Sequence, residues 1–202
     1  MAGTAAGRHE DWSDERLMLA YRDGDVGAFE VLYRRYRGSL YRYFVHQCGN
    51  PAFAEELYQD VWIKIVNARA DYEPLAKFST WIFRIAHHRL IDHYRKSNPE
   101  MAIRYEKPDA GGDADLDDFI ASQPASLHQT PHALYDRRDT AQRISLALAG
   151  LPAPQREAFL LAEEGGLTLE EIAATTTTDR ETSKSRLRYA LTKLRHSLQD
   201  LL

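Results

Sequence analysis

The stretch TLEEIAATTTTDRETSKSRLRYALTKLRHSL, residues 168–198, decides the fold of the C-terminal part of the chain. The string TLEE (168–171) has the spacing of a capping box and predicts the start of a short helix. The run TTTT (175–178) predicts a turn. The string TDRE (178–181) is a second capping box, which predicts a longer helix that extends to about Leu198. A short helix, a short turn and a longer helix together form a helix-turn-helix.

The longer helix has its positive charges on one side. Residues 180–196 contain six basic side chains and one acidic side chain, Glu181. Arg180, Lys184 and Arg188 recur every four residues. The predicted apolar seam lies elsewhere on the helix and consists of Leu187, Leu191, Leu194 and Leu198. Such a basic face fits the major groove of DNA. An ordinary solvated charged face is the alternative interpretation.

The turn departs from the usual pattern of this motif. A helix-turn-helix commonly has one apolar residue in the turn and another early in the second helix. Thr175–Thr178 and Ser183 occupy those places here, so we expect the contact between the two helices to be weak or shifted. Phosphorylation of these threonines is an open interpretation, although β-branched residues that merely suit a turn are the simpler one.

The N-terminal part of the chain also has helical periodicity. Asp25 is a predicted N-cap, and Asn50-Pro51 are residue types that begin a second helix. A third helix is predicted from Ser79 or Thr80 to about Lys96. The apolar stripe of the first helix consists of Phe29, Leu32, Tyr36, Leu40 and Tyr43. The predicted buried row of the second helix consists of Phe53, Leu57, Val61 and Ile65. With no useful alternating pattern anywhere, the sequence predicts an all-α fold.

Residues 97–135 separate two such helical blocks. Prolines and a Gly-Gly pair interrupt this segment, and residues 99–135 carry two basic and seven acidic side chains. A segment this long without periodicity is uncommon inside a compact domain. We therefore expect two small helical domains joined by an acidic flexible linker, with short helical turns as an option near Leu116–Ile120.

Composition narrows the class of protein. The chain has 202 residues, a net charge of −4, 44% hydrophobic residues and one cysteine, Cys48. One cysteine excludes an internal disulfide and a multi-cysteine metal site. No apolar run approaches the roughly 20 residues needed to cross a bilayer, and the first ten residues have no secretory signal pattern. We expect a cytoplasmic protein without membrane insertion.

The predicted helix that ends near Lys96 has two different faces. Its predicted buried row is Ile82, Ala86, Leu90 and Tyr94. Its opposite face carries Arg84, His88, Asp92, Arg95 and Lys96. The aromatic and basic residues at its start are Tyr72, Lys77, Phe78 and Trp81. Cations can hold a nucleic-acid backbone while rings stack on an extruded base. Burial of these aromatics in a core is the alternative, and it is the favoured one for Trp81 taken alone.

Two other clusters are candidate sites. Glu56, Gln59 and Asp60 share one helix face, which is either a docking patch for a basic partner or a solvated surface. His87, His88 and His93 with Asp92 have poor spacing for a metal, because only His88 and Asp92 share a face. We find no phosphate loop, nucleophile elbow or paired catalytic carboxylates. We therefore expect no enzyme activity, no metal and no cofactor, with a metal-dependent hydrolase as the remote alternative.

Six strings in a fixed order carry a resemblance to a known family. They are AFEVLYRRY (28–36), AEELYQDVWIKI (54–65), FSTWIFRIAHHRLIDHYRK (78–96), LPAPQREAFLL (151–161), LTLEEIA (167–173) and TSKSRLRYALTKLR (182–195). In this order, with an acidic linker between them, they resemble bacterial RNA polymerase sigma factors of the extracytoplasmic-function (ECF) group. A stand-alone helix-turn-helix regulator that binds duplex DNA without polymerase is the leading alternative.

The resemblance implies a role for each part of the chain. Residues 13–98 resemble the region 2 domain, which docks on core polymerase and recognises and melts the −10 promoter element. Residues 99–135 correspond to the linker, and residues 136–199 resemble the region 4 domain, which recognises the −35 element. The implied partners are core RNA polymerase (its β′ coiled coil and β subunit), promoter DNA and an anti-sigma factor or other regulatory protein.

The resemblance also implies the contact residues. The polymerase contacts are Glu56, Gln59 and Asp60. The −10 contacts are Tyr72, Lys77, Phe78, Trp81, Arg84, His88, Asp92, Arg95 and Lys96. The −35 contacts are Arg180, Lys184, Ser185, Arg186, Arg188 and Tyr189. Glu181 and Ser183 stand where relatives often have glycine and valine, so the placement of this helix and the promoter sequence are open.

Overall fold

The structure is a computed structural model that describes residues 9–106 and 133–199. Within these two ranges all regular structure is helical and no strand is present, which confirms the all-α prediction. The helices are α1 (Asp14–Arg22), α2 (Val26–Cys48), α3 (Pro51–Ala68), α4 (Phe78–Ser97), α5 (Pro99–Glu106), α6 (Ala133–Ala149), α7 (Ala153–Glu163), α8 (Leu169–Thr176) and α9 (Arg180–Ser197), with a 3₁₀ turn at Arg69–Asp71.

Two predicted helix starts in the N-terminal domain are confirmed. The Asp25 side chain accepts a hydrogen bond from the Ala28 amide and caps α2. The Asn50 side chain caps α3, whose first residue is Pro51. Both caps satisfy backbone N–H groups that have no partner within the helix. The sequence pattern did not single out α1.

The start of α4 differs from the predicted one. The helix begins at Phe78, before the predicted Ser79 or Thr80, and its own N-cap, Lys77, makes no side-chain cap bond. Instead, the Phe78 amide donates to Glu15 Oε1 of α1 at 2.8 Å. The cap is 63 residues distant in sequence, which is why local pattern did not find it.

The core of the N-terminal domain follows the predicted rows with one exception. The row on α4 formed by Ile82, Ala86, Leu90 and Tyr94 is buried, as are Leu57, Val61 and Ile65 on α3. The predicted burial of Phe53 is wrong, because the residue is 43% exposed. It lies on the first turn of α3, where its ring contacts His93 with the ring centroids 5.0 Å apart.

The first part of the predicted linker is a helix. The prediction of an aperiodic segment from residue 97 is wrong for Pro99–Glu106, which forms α5. Tyr105 on this helix is buried and stacks on Tyr94 with the ring centroids 5.6 Å apart. Burial of Ala102 and Tyr105 against α4 supplies the stabilisation that isolated short helices lack. The turns considered near Leu116–Ile120 lie outside the described residues.

The predicted helix-turn-helix is present as α8 and α9. Thr168 and Glu171 form the predicted capping box, with both reciprocal hydrogen bonds made. The second predicted box is wrong, because Asp179, rather than Thr178, caps α9 by accepting from the Thr182 amide at 2.7 Å. In the predicted seam Leu194 is buried, while Leu187 and Leu198 are partly buried against the core.

The contact between the two helices includes hydroxyl groups. Ser183 is fully buried, and its hydroxyl lies 3.1 Å from the Thr178 hydroxyl. Ile172 and Thr175 are buried on the α8 side of this contact. A hydroxyl pair therefore stands where this motif commonly has an apolar pair. Thr177, at the end of α8, adopts a left-handed conformation with φ 55°.

The two domains pack against each other. Helices α2 and α4 of the N-terminal domain, and α5 directly after it, contact α7 and α8 of the C-terminal domain. Gly165 lies at this boundary, and a Cβ atom there would stand 3.1 Å from the Phe83 ring of α4 and 2.7 Å from the Leu161 carbonyl oxygen. The close approach requires glycine at this position.

Candidate nucleic-acid and polymerase interfaces

The basic face of α9 is exposed as predicted. Arg180, Lys184 and Arg188 are all exposed to solvent, and Ser185 and Tyr189 are half-buried beside them. The Arg188 guanidinium lies over the Tyr189 ring, 4.9 Å from its centroid. These side chains project from the N-terminal half of the helix, which is the part that a helix-turn-helix inserts into the major groove.

Surface acids balance part of this charge. Arg180 Nε lies 2.5 Å from Glu170 Oε1, and Lys184 Nζ lies 3.3 Å from Glu181 Oε2. Exposed pairs of this kind are worth little in water. They leave the cations available to phosphates, which offer a higher density of negative charge.

Arg186 is the one predicted −35 contact that the structure buries. It is 3% exposed and belongs to a buried stripe on α9 that also contains Ser183, Ala190 and Lys193. The spacing of this stripe is helical, at i, i+3, i+7 and i+10. The spacing of the stripe is visible in the sequence, but two cations and a serine are not the residue types that predict a buried helix face.

The polar face of α4 is also exposed as predicted. Arg84, His88, Asp92, Arg95 and Lys96 are exposed. Burial of the ring, together with the nearby charges of His87 and Arg84, lowers the pKa of His88. A lowered pKa favours the neutral ring, which can both donate and accept a hydrogen bond.

The aromatic residues at the start of α4 form part of the core. Tyr72 is 3% exposed, Phe78 is fully buried and Trp81 is half-buried. The Trp81 ring contacts the rings of Tyr72 and Phe78, with centroids 5.0 Å and 5.6 Å apart. Tyr72 and Phe78 therefore pack beneath the loop, and neither ring has a solvent-exposed face on which a base could stack.

The loop above this aromatic cluster presents two other side chains. Leu75 is 87% exposed at its tip, a residue that the sequence pattern did not single out. Lys77 forms an ion pair with Glu171 of α8, with Nζ 3.2 Å from Oε1. Arg22 of α1 donates to the Tyr72 carbonyl at 3.3 Å and fixes the base of the loop.

The predicted docking patch lies on the outer face of α3. Glu56 and Gln59 are exposed and Asp60 is half-buried. Ile63 and Val66 continue the same face with 57% and 39% exposure. The sequence pattern did not single out these two residues, although Ile63 lies about one turn and Val66 nearly two turns beyond Asp60 along the helix.

The histidines do not form a metal site. His87 is buried against Glu157, His88 is exposed on the outer face, and His93 lies against Phe53. Among residues 9–106 and 133–199, no three His, Cys, Asp or Glu side chains are grouped so that they could hold a metal ion. In the same part of the chain, none of the helices has the length and apolar character needed to span a bilayer.

Family models match both domains. The model of Sigma-70 region 2 matches residues 32–100, and that of Sigma-70, region 4 matches residues 141–194. The two domains are thus those of an RNA polymerase sigma factor.

Curated relatives narrow the class. The chain is 29% identical over 185 residues to the ECF RNA polymerase sigma factor SigK of Mycolicibacterium vanbaalenii, covering 91% of this chain and 88% of the relative. It is 32% identical over 192 residues to the ECF RNA polymerase sigma factor RpoE of Cereibacter sphaeroides, covering 93% and 95%. The protein belongs to the ECF group of sigma factors.

Solved structures share the fold. CnrH, determined in complex with the cytosolic domain of CnrY, has a TM-score of 0.61 at 20% identity and matches over 93% of this chain and 97% of its own. The sigma factor RpoE of Bartonella quintana, determined with the anti-sigma factor NepR, has a TM-score of 0.59 at 22% identity over 85% and 96%.

Proposed function

We propose that this sigma factor binds core RNA polymerase and directs initiation at promoters that it recognises through both a −35 and a −10 element. The observation that carries the proposal is the presence of two exposed cationic helix faces, on α9 and on α4, in the two parts of the chain that match region 4 and region 2. The protein performs no chemistry of its own and acts in the cytoplasm, where polymerase is.

The C-terminal domain, residues 136–199, is the −35 contact. Arg180, Lys184 and Arg188 enter the major groove, with Ser185 and Tyr189 beside them. A bidentate contact from arginine to guanine discriminates against the wrong base by about 1–3 kcal/mol. Arg186, buried among the helices, contributes by fixing the position of α9 and reaches DNA only if the domain rearranges on binding.

The N-terminal domain, residues 13–98, is the −10 contact. Arg84, Arg95 and Lys96 lie along the backbone of the element, and His88 and Asp92 lie at its duplex edge. The loop from Tyr72 to Lys77, supported by Phe78 and Trp81, borders the place of an extruded base. Capture of that base offsets an unstacking cost of a few kcal/mol.

The outer face of α3 is the docking surface for polymerase. Glu56, Gln59 and Asp60 offer acceptors to a basic surface of the β′ coiled coil, and region 4 contacts the β subunit. Ile63 and Val66 add apolar area to the same face. A mixed surface of this kind is typical of interfaces between proteins that associate and dissociate.

An anti-sigma factor is the expected regulator. The RpoE of Bartonella quintana was determined with the anti-sigma factor NepR, and CnrH was determined with the cytosolic domain of CnrY. Their likeness to this chain supports a partner of the same kind, which competes with polymerase for the sigma factor.

Transcription in a purified system tests the proposal. Core polymerase with this chain should produce transcripts from a defined set of start sites, whereas core alone or the chain alone should not. In gel shifts the isolated chain should bind promoter DNA weakly and acquire specificity only with core enzyme. Tight, specific binding by the isolated chain, or start sites indifferent to its addition, would contradict the proposal.

A further inference from the structure

Two exposed arginines of the N-terminal domain lie over aromatic rings. The Arg16 guanidinium of α1 lies 3.7 Å from the centroid of the Trp12 ring, and the Arg69 guanidinium lies 5.3 Å from the centroid of the Tyr21 ring. Both arginines are exposed to solvent. A cation that lies over a ring samples fewer orientations than a free side chain, so each guanidinium has a defined place on the surface. We call Arg16 and Arg69 the arginine pair.

The two rings are themselves held by further contacts. The Trp12 ring contacts the His9 ring with the centroids 4.4 Å apart, and His9 Nε2 lies 2.9 Å from Asp25 Oδ2. The Tyr21 ring stacks on the Phe29 ring with the centroids 4.6 Å apart. Each member of the arginine pair therefore lies on a ring whose own position is fixed by other side chains of the domain.

The arginine pair differs from the arginines around it. Arg22, Arg34 and Arg35 each form an ion pair with an acidic side chain. Neither Arg16 nor Arg69 has an acidic partner in the part of the chain that the structure describes. Their charges are therefore available to a ligand. A planar guanidinium binds phosphate and carboxylate groups through paired N–H donors, so the ligand should carry one of these anions.

The arginine pair adjoins both ends of the loop that precedes α4. The Arg69 carbonyl accepts a hydrogen bond from the amide of Tyr72, the first residue of the loop, at 3.3 Å. Arg16 follows Glu15, which accepts from the Phe78 amide directly after the loop. The Tyr72 and Phe78 rings have centroids 6.4 Å apart, so the two ends of the loop lie close together. One arginine is thus next to each end.

The loop itself offers DNA little positive charge. Asp71, just before it, and Glu73, within it, are exposed acids. Its one cation, Lys77, forms an ion pair with Glu171 of α8. A DNA backbone beside this loop therefore meets two carboxylates and a cation whose charge is already balanced. Phosphates near the loop need positive partners from neighbouring elements, and the arginine pair provides one at each end.

We propose that Arg16 and Arg69 bind the phosphates on the two sides of the extruded base and so hold that strand at both ends of the loop. The inference rests on the proposed function, which puts the extruded base beside the loop. It adds a site for single-stranded DNA whose cations belong to α1 and to the 3₁₀ turn Arg69–Asp71. Because the ligand groups are phosphates, the site does not distinguish one base from another.

The site binds an unpaired strand in preference to a duplex. Extrusion of a base rotates its nucleotide about the backbone, and this exchanges stacking and pairing for contacts with the protein. The two phosphates that flank the rotated nucleotide are then no longer constrained by a base pair. Cations at both ends of the loop hold these phosphates only after the base has left the duplex. The arginine pair therefore stabilises the open form of the −10 element relative to the paired form.

The salt dependence of DNA binding measures these phosphate contacts. The experiment uses the full-length chain with core polymerase and a promoter whose −10 element is unpaired. Arg16→Ala with Arg69→Ala should weaken binding about tenfold. It should also reduce the slope of log K against log salt concentration by about 1.4, because each phosphate contact on a single strand contributes about 0.7.

A second double variant is the matched control. Arg34→Ala with Arg37→Ala removes the same total charge from exposed positions of α2. Its affinity and its salt slope should equal those of the wild type, since neither position adjoins the loop. Equal slopes for the two double variants would overturn the proposal, because the loss would then reflect net charge and not contacts at the loop.

A lysine variant tests the part played by the rings. Arg16→Lys with Arg69→Lys keeps both charges, but an ammonium group has neither the flat face nor the paired donors of a guanidinium. The salt slope should stay at the wild-type value while the affinity falls about threefold. Wild-type affinity in this variant would contradict the role of the rings. If the alanine variant has a lower melting temperature than the wild type, the lysine comparison decides.

A single strand tested without polymerase separates this inference from the proposed function. A fluorescein-labelled strand of about 12 nucleotides should bind the full-length wild type at low salt with a steeper salt slope than it binds Arg16→Ala with Arg69→Ala. That difference in a chain that supports no promoter-specific transcription would support the strand site and contradict the proposed function. Promoter-specific transcription together with equal slopes in both assays would overturn the strand site and leave the proposed function intact.

Discussion

The two helices proposed to contact DNA, α4 and α9, depend on very different parts of the molecule. Helix α9 begins at its own N-cap, Asp179, and the acids that pair with Arg180 and Lys184 belong to its own domain. Helix α4 begins at a cap provided by Glu15 of α1. The aromatics at its start are buried, and Lys77 pairs with the other domain.

The difference shows that the surface of α9 is formed within its own domain, whereas the surface of α4 depends on contacts from other parts of the chain. The basic face of α9 depends on contacts within its own domain and is exposed to solvent. Helix α4 depends on α1 for its start, and Lys77, just before its first residue, pairs with Glu171 of the other domain.

The largest effect should come from the exposed arginine of α9. Replacing Arg188 by Ala removes a side chain that we propose reaches the major groove, and should weaken binding of the polymerase complex to its promoter by about 1–3 kcal/mol, or about 5- to 150-fold. Filter binding with the matched promoter and with one altered in the −35 element measures the loss. An equal loss on both DNAs would assign Arg188 to phosphate contact.

Arg186→Ala is the matched comparison for Arg188. Because Arg186 is buried and Arg188 is exposed, the Arg186 variant should lower the melting temperature while the Arg188 variant leaves it nearly unchanged. Equal melting temperatures for the two variants would show that the buried stripe on α9 does not stabilise the domain.

The next effect concerns the proposed polymerase-docking face of α3, to which no DNA contact is assigned. Reversing charge at Glu56 and Asp60 on α3 replaces acceptors by cations and should weaken binding to core polymerase about tenfold, while the melting temperature changes little. Fluorescence anisotropy of labelled sigma factor titrated with core enzyme measures this affinity. The same reversal at Glu30, an exposed residue of α2, is the control. An unchanged affinity for core would remove this patch from the docking surface.

The local sequence pattern correctly predicted the features that depend on residues close together in the chain. The all-α class, the caps at Asp25, Asn50 and Thr168, and the buried row on α4 all depend on residues a few positions apart. So does the exposure of Arg180, Lys184 and Arg188. Helical periodicity and capping chemistry act within one or two turns, and pattern analysis detects both.

The errors in the sequence predictions lie where contacts between residues distant in the chain determine the structure. Pro99–Glu106 has a proline and charges that suit a linker, but burial of Tyr105 on Tyr94 makes it a helix. Phe78 and Tyr72 look like surface aromatics beside a loop, but α1 and α2 pack over them, with Tyr36 against Phe78. Gln47, Arg156 and Glu157 are polar residues on helix faces, which a hydrophobic pattern assigns to solvent, but all three are buried. Nothing local distinguishes Glu157, which is buried, from Glu163, which is exposed.

The smallest expected effect tests the remote cap of α4. Burial alone would raise the pKa of Glu15, but hydrogen bonds from the Phe78 amide, its own amide and the Ser13 side chain, together with the charge of Lys77, outweigh it, so the pKa lies below its ordinary value near 4.5. A carboxylate whose pKa is lowered by folding stabilises the fold above its unfolded pKa and loses that contribution as the pH falls through the folded value. Glu15→Gln keeps an acceptor but removes the charge. The difference in melting temperature between wild type and Glu15→Gln should therefore be largest at pH 7 and shrink between about pH 5 and 3. Glu30→Gln, at an exposed position, provides the baseline; a Glu15→Gln difference that stays constant from pH 7 to 3 would show that the charge of Glu15 does not hold the start of α4.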